Sequence, residues 1–256
     1  MDMVRLVRKH LIYFHWIMEK QKSRFIVFEG IAGSGKSTII RATKLWLSNQ
    51  GYRIFDMKKW IEEHNKPPEL SNFKNADVLL TFEPTKQWIG AAIRYEMSQT
   101  KNPYSGTELA QAFALDRLIQ YKRIILPALK AGKTIIQDRS VGTSIAYQPI
   151  MPGGCKLEDL IALSGNALAI ANAPDHLIIT NINPARIQER LNRDDDSKGV
   201  FENIEFMKKT HERYNSDWFE NIFKEQGTQI HQFNTDIPIE NMGKNAKNLI
   251  STLLKE

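Results

Sequence analysis

Between Phe28 and Thr38 the chain reads FEGIAGSGKST, which puts Gly30, Gly35, Lys36 and Ser37 into the pattern G-x-x-x-x-G-K-[ST]. Glycines in such a loop let successive backbone N–H groups turn towards one anion, and a helix that starts directly after it adds positive potential. The run Gly30, Ile31, Ala32, Gly33, Ser34, Gly35, Lys36, Ser37 and Thr38 is therefore expected to cradle the phosphates of a nucleoside triphosphate. Lys36 would reach the β and γ phosphates, and Ser37 would ligate Mg²⁺.

The cradle leaves the fate of the triphosphate open. A GTPase needs a base-reading N-K-x-D, but Asn65 and Lys66 are followed by Pro67 and Pro68. A motor or transporter ATPase would end an apolar strand with paired carboxylates, whereas TIIQDR ends with Asp138 and Arg139. A carboxylate near Mg²⁺ beside an arginine suits an acceptor that carries its own phosphate.

Such groups need a scaffold that points them at one another. With 256 residues, 42% hydrophobic and 25% charged, the chain is an ordinary globular one, expected to form one core with mobile segments. Short β-branched runs alternate with helical patterns, which argues for a parallel sheet flanked by helices on both faces. The strands are expected at Arg24 to Glu29, Arg53 to Asp56, Asp77 to Phe82, Lys133 to Gln137, His176 to Asn181 and Gln229 to Phe233. A helix from about Gly35 to Asn49 would turn Ile39, Ile40, Thr43 and Leu47 inward, with Gly51 at its end. A longer one would begin near an N-capping Thr107 and run to about Lys130, with Pro127 bending or shortening its last turns. Trp60 to Asn75 reads as an insertion or a loop with a short helix.

The net charge of +6 suits any polyanion and excludes little. A single cysteine, Cys155, allows no internal disulfide and no multi-cysteine metal cage, which fits a cytoplasmic setting. Residues 1–20 form an extension in which Arg5, Arg8 and Lys9 precede the apolar stretch Leu11 to Met18. That stretch falls short of the ~20 apolar residues needed to span a bilayer, so no membrane partner is expected. No nucleic-acid motif is present, and no aromatic and basic alternation suited to single strands.

Several separated blocks resemble the thymidylate kinase family of P-loop nucleoside monophosphate kinases. FEGIAGSGKST is similar to its phosphate loop, TFEPTKQWIGAAIR to its EP-containing segment, and FALDR to its acceptor-binding helix. PALKAGKTIIQDRSVGTSIAYQ is similar to its DR motif, and RIQERLNRDDD and FENIEFMKKTHERY to its lid and the following helix. The resemblance implies a P-loop NTPase fold over residues 21–256 with an arginine-bearing lid near 186–200. It implies ATP and dTMP as substrates, Mg²⁺ as cofactor and a homodimer. In the acceptor site Phe113 would stack on the thymine ring and Arg117, four residues on and so on the same helical face, would bond the base's carbonyl edge. Arg139 would hold the acceptor phosphate, Asp138 would assist through Mg²⁺ or its water, Ser144 would meet the base, and Tyr147 would crowd out a ribose 2′-hydroxyl. Glu83 of the EP pair belongs to the same site. Arg186, Arg190 and Arg193 fall on one helix face or at its end, and Arg190 and Arg193 are assigned to the transferring phosphate.

Two positions depart from the family's pattern. Ala32 stands where many members carry a carboxylate that helps place the deoxyribose, and Phe82 replaces an arginine that often precedes the EP pair. Charge near the acceptor phosphate would then come from Lys86 or Arg94. Two rival readings remain: a deoxynucleoside kinase with Glu29 as base for a 5′-hydroxyl, and a non-enzymatic ATP-binding switch.

Overall fold

The structure, a computed structural model, describes residues 23–99, 103–191 and 204–255, with the backbone alone over 188–191. Among these residues six strands, β1 (Phe25–Glu29), β2 (Ile54–Asp56), β3 (Val78–Phe82), β4 (Thr134–Asp138), β5 (His176–Asn181) and β6 (Gln229–Asn234), form one sheet. Its order is β2-β3-β4-β1-β5-β6 and every neighbouring pair is parallel. All six lie where the apolar runs place them. The helices that flank the sheet and build the site are α1 (Lys36–Asn49), α2 (Met57–His64), α3 (Trp88–Ala92), α4 (Gly106–Gln120), α5 (Val141–Tyr147), α6 (Pro184–Leu191), α7 (Ile204–Tyr214) and α8 (Ile239–Leu253).

The alternation of a β-strand splits the core in two. Phe25, Val27, Leu79, Ile135, Leu177 and Ile179 face one cluster, closed by Ala110 of α4, Ile145 of α5 and Met207 of α7. Ile26, Phe28, Val78, Leu80, Ile136 and Ile178 face the other, closed by Ile39 and Leu47 of α1 and by Met242, Ala246 and Ile250 of α8. Each buried aliphatic side chain contributes about 2 kcal/mol, so a sheet covered on both faces tolerates no polar residue mid-strand without a partner. Gln137 and Thr81 meet that condition by bonding each other at 2.8 Å.

Local details depart from expectation for identifiable reasons. In α1 the buried side chains are Lys36, Ile39, Thr43 and Leu47, while Ile40 is half-buried, because only the four-residue repeat stays on the inner face. The N-cap of α4 is Ser105 rather than Thr107: Ser105 and Glu108 form a reciprocal capping box, and the Thr107 hydroxyl donates to the Gly153 carbonyl at 2.8 Å. Pro127 does not shorten the long helix. A π-helical turn, Tyr121–Ile125, widens the coil ahead of the proline ring and helix resumes over Leu126–Lys130. The stretch read as an insertion begins inside α2, whose N-cap Asp56 accepts bonds from Lys58 and Lys59, and ends on a short helix, Leu70–Phe73.

The segments following β1, β3, β4 and β5 all emerge at the carboxyl edge of the sheet, the edge where open parallel sheets bind ligands. Phe28, Asp138 and Phe82 sit side by side there in register. The extension 1–20 and most of the arginine-bearing lid fall outside the described residues.

Candidate active site

The phosphate loop leaves β1 through Gly30, whose φ of +137° and close approach to Thr180 admit no side chain: a Cβ there would sit 2.3 Å from Thr180 Oγ1. Thr180 secures the loop from β5. Its hydroxyl donates to the Glu29 carbonyl at 2.9 Å and lies 2.6 Å from Ser34 Oγ. At the far end Gly35 caps α1 without any side-chain hydrogen bond, so the positive end of the helix is left for an anion. Lys36 is folded back into the loop, where its ammonium donates to the carbonyls of Gly30 at 2.9 Å and Ile31 at 2.8 Å and to Ser34 Oγ at 3.2 Å. Burial and the nearby Arg139 charge lower it to about 7. Ser37 is exposed at the start of α1 and Thr38 is half-buried.

Opposite the loop, β4 ends in Asp138 and Arg139. Asp138 Oδ1 is buried and has no hydrogen-bond partner among the described residues, as suits an oxygen reserved for a metal-bound water or a cation. No group of three or more His, Cys, Asp or Glu side chains among the described residues could hold a metal ion alone. Arg139 is held in left-handed backbone, φ +66°, at a cost of about 1 kcal/mol for a residue with a Cβ. Its Nη1 donates to the Gly30 carbonyl at 3.0 Å and to Thr143 Oγ1 at 3.1 Å, and its guanidinium lies 5.7 Å from the Tyr147 ring centroid. The Tyr147 hydroxyl accepts from Ala32 N–H at 3.0 Å, joining acceptor wall to phosphate loop.

Glu29 lies beneath this turn, fully buried. One oxygen accepts from Ser140 N–H at 2.8 Å and Thr143 N–H at 2.9 Å, and the other from Thr143 Oγ1 at 2.6 Å and Tyr214 Oη at 2.9 Å. Gly142 makes room for the carboxylate, since a Cβ there would approach Glu29 Oε1 to 2.8 Å. Burial pushes the Glu29 carboxyl up, against the pull of Arg139 and of its donors. A carboxylate with four donors and no exposed surface has no face left for a nucleoside hydroxyl, which argues against Glu29 as a catalytic base.

The EP segment and the FALDR helix grip one another. Asp116 accepts from Thr85 N–H at 2.7 Å, Thr85 Oγ1 at 2.7 Å and Gly90 N–H at 2.9 Å, which fixes the turn into α3. Arg117, 1% exposed, pairs with Glu83 at 2.8 Å, donates to Ser144 Oγ at 3.0 Å and also bonds Asn166 Oδ1. Burial raises the Glu83 carboxyl to about 7 while Arg117 pulls it down. Because three donors converge on Asp116, we expect Asp116→Asn to lower stability by about 2 kcal/mol in denaturant titration; an unchanged midpoint would show that the clamp does not hold the turn.

Between these parts opens a cavity of about 280 Å³. Phe113 of α4, Arg94 and Pro84 of the EP segment, and Arg139 and Tyr147 of the DR turn line it, with Ala32 at the phosphate-loop side. Phe113, Arg139, Tyr147 and Arg94 are thus brought together. Arg117, Ser144 and Glu83 do not line the cavity: they are buried, and Arg117 donates to both Glu83 and Ser144. Arg94 rather than Lys86 supplies charge to the wall: Lys86 pairs with Glu62 at 2.6 Å, whereas Arg94 donates to the carbonyls of Pro84 and Thr85 and lies 5.5 Å from the Phe82 ring centroid. Arg186 pairs with Asp236 at 3.2 Å on α6. Arg190 lies in α6 where only the backbone is described, and Arg193 lies outside the described residues.

Five residues in or around the site escaped the sequence reading. Ser98, Thr143 and Gln148 line the cavity, Asp116 clamps the turn into α3, and Tyr214 reaches Thr143 from α7. Gln148 is 3% exposed and its Oε1 has no hydrogen-bond partner among the described residues. Its place next to Tyr147 was the available signal, but an amide carries no charge pattern to mark it.

A glycine loop that opens a helix at the carboxyl edge of a parallel sheet, with a separate arginine-lined cavity beside it, defines a P-loop phosphotransferase with distinct donor and acceptor sites. Comparison with known proteins narrows the class. The family model described as thymidylate kinase matches residues 69–243. The chain is 35% identical to a thymidylate kinase of Prochlorococcus marinus (strain NATL1A) over 68% of this chain and 74% of that one. It is 28% identical to a thymidylate kinase of Caldicellulosiruptor saccharolyticus over 92% of this chain and 99% of that one, a span that reaches beyond the residues of the family model. A probable thymidylate kinase of Caldivirga maquilingensis is 29% identical over 74% of this chain and 78% of its own. The chain belongs to the thymidylate kinase family.

Proposed function

We propose that the chain transfers the γ-phosphate of ATP to dTMP, giving dTDP and ADP. One observation carries the reading: Arg139, at 3.0 Å from the Gly30 carbonyl, stands on the cavity wall at the rim of the phosphate loop, so an anion it held would face the donor's terminal phosphate. An acceptor that is already an anionic nucleophile needs orientation rather than a base. One of its phosphate oxygens forms a bond to the γ-phosphorus as the bond to the β-bridging oxygen breaks, and ADP leaves with that electron pair. Lys36 moves from the loop carbonyls to the β and γ phosphates, while Arg139 and Arg94 hold the acceptor phosphate. Phe113 stacks on the base, and the Gln148 amide meets its polar edge with Ser144 and Arg117 directly behind. Tyr147, bonded to Ala32, closes the space beside the sugar.

Ser37 and Asp138 are the residues that would hold Mg²⁺: one hydroxyl is exposed at the helix start, and one carboxylate oxygen is buried without a partner. The ion would supply charge neutralisation between the β and γ phosphates. Arg190 and Arg193, in a lid near 186–200, would shield the transferring group from water. The family resemblance further supports a single kinase domain over 21–256 that works in the cytoplasm as a homodimer. No helix of the described residues is long and apolar enough to cross a membrane.

ADP release measured with dTMP, with thymidine and with neither tests the reading. We expect stimulation by dTMP of at least ~10²-fold over the acceptor-free rate, the order that positioning of an acceptor supplies. Stimulation by thymidine alone would replace the assignment with a nucleoside kinase, and no stimulation by either with a nucleotide-dependent switch.

A further inference from the structure

The buried cluster under the DR turn contains a residue from a distant part of the chain. Tyr214, the last residue of α7, is 1% exposed, yet its hydroxyl is not left idle in the core. It donates to Glu29 Oε2 at 2.9 Å and lies 3.1 Å from Thr143 Oγ1. Thr143 Oγ1 in turn accepts from Arg139 Nη1 at 3.1 Å. The neighbouring Arg213 reaches α5 as well, donating to the Ile145 carbonyl at 2.9 Å, two residues on from Thr143. The C-terminal end of α7 therefore meets α5 at two neighbouring points, Thr143 and Ile145, and the first of them leads to the guanidinium that lines the acceptor cavity.

Packing alone does not require this hydroxyl. The Tyr214 ring already contacts Phe219 at a centroid distance of 5.2 Å and Tyr147 at 6.3 Å, and phenylalanine would fill the same space without adding a polar group to be satisfied. Arg139 needs outside restraint, because its backbone is left-handed and a long side chain on a strained turn has other rotamers available. Its restraint comes from the Gly30 carbonyl, Thr143 Oγ1 and the neighbouring Tyr147. The Thr143 hydroxyl donates to Glu29 Oε2, the oxygen to which the Tyr214 hydroxyl also donates, so the two hydroxyls, 3.1 Å apart, share one anchor.

We propose that Tyr214 is a positioning residue for the acceptor phosphate, acting through Thr143 and Glu29 on Arg139. The proposal rests on dTMP being the acceptor. It makes the end of α7 part of the acceptor site and predicts a binding effect from a side chain that touches no substrate.

Calorimetric titration of dTMP into Tyr214→Phe is expected to show affinity about tenfold weaker than in the wild type, the size of one lost hydrogen bond, with the affinity for an ATP analogue unchanged. In an Arg139→Ala background the same substitution should alter dTMP affinity less than twofold, because the relay no longer has a target. A merely structural tyrosine would act equally in both backgrounds, and that result, or unaltered affinity in Tyr214→Phe, would overturn the proposal. Thr143 provides the second variant should Tyr214→Phe not fold: Thr143→Val is expected to weaken dTMP binding at least tenfold and Thr143→Ser to restore it, and equal affinities for the two would also refute the relay. Failure of the wild type itself to bind dTMP would instead refute the kinase reading.

Discussion

Replacing Arg139 with alanine is expected to lower kcat/KM for dTMP by about three orders of magnitude while leaving the KM for ATP within a fewfold of its value. Two charge-assisted hydrogen bonds from a guanidinium to a phosphate are worth about 2 kcal/mol each, and about 4 kcal/mol is close to a thousandfold in rate. The loss should fall on the acceptor because Arg139 lines the cavity next to Phe113, whereas the donor cradle is built from backbone N–H groups and Lys36. The left-handed backbone at this position adds a second, independent readout. Arg139→Gly should be more stable than Arg139→Ala by about 1 kcal/mol, since glycine alone adopts that conformation without strain. Both should be equally poor catalysts. Steady-state kinetics and denaturant titration of the pair therefore separate what the side chain does for catalysis from what the backbone costs in stability. Wild-type kcat and KM for dTMP in either variant would remove the acceptor site from this arginine.

How far the sequence led depended on the kind of signal each part emits. The inner strands β1, β3, β4 and β5 were legible because a parallel strand buried on both faces must be largely apolar, and runs such as Ile26-Val27, Leu79-Leu80, Ile135-Ile136 and Ile178-Ile179 carry that signal, whereas the edge strands β2 and β6 are half-buried or exposed. The phosphate loop was legible because backbone geometry dictates glycine at fixed spacing. The acceptor side was only partly so. Helical spacing correctly put Phe113 and Arg117 in one region, but spacing does not say which of two neighbours faces a cavity and which is drawn behind it. That was decided by Glu83, Asn166 and Ser144, three partners scattered along the chain whose convergence on Arg117 is a tertiary fact. The same holds for Glu29: its position at the end of β1, just before the phosphate loop, suggested a base, and only the meeting of Ser140, Thr143 and Tyr214 around it shows a carboxylate consumed by structure. The helix start that shifted, to Ser105, was settled by a reciprocal cap, and the long helix reached Lys130 as expected through a π-helical turn ahead of Pro127; neither feature is set by residue type at a single position.

Lys36→Met is expected to reduce kcat by about a thousandfold, the effect of removing one preorganised donor from a transferring group, and to change a proton count as well. In the described structure the ammonium is surrounded by Gly30 O, Ile31 O and Ser34 Oγ, and burial with the Arg139 charge brings it from 10.5 to about 7. A triphosphate arriving in the loop brings negative charge to that ammonium and raises it again. The sign follows: at pH 8 most Lys36 is neutral before binding and protonated after it, so the wild type takes up close to one proton with ATP. At pH 5.5 Lys36 is protonated in both states and the uptake through this group vanishes. Calorimetry in buffers of different ionisation enthalpy measures the count directly. Lys36→Met should lose the uptake at pH 8 together with turnover, whereas Lys36→Arg, charged at every pH in the range, should lose the uptake but keep part of the ATP affinity. An identical proton count in the wild type and Lys36→Met would mean that the lysine is already charged in the empty loop and that its bonds to the carbonyls there are those of an ammonium at its ordinary value.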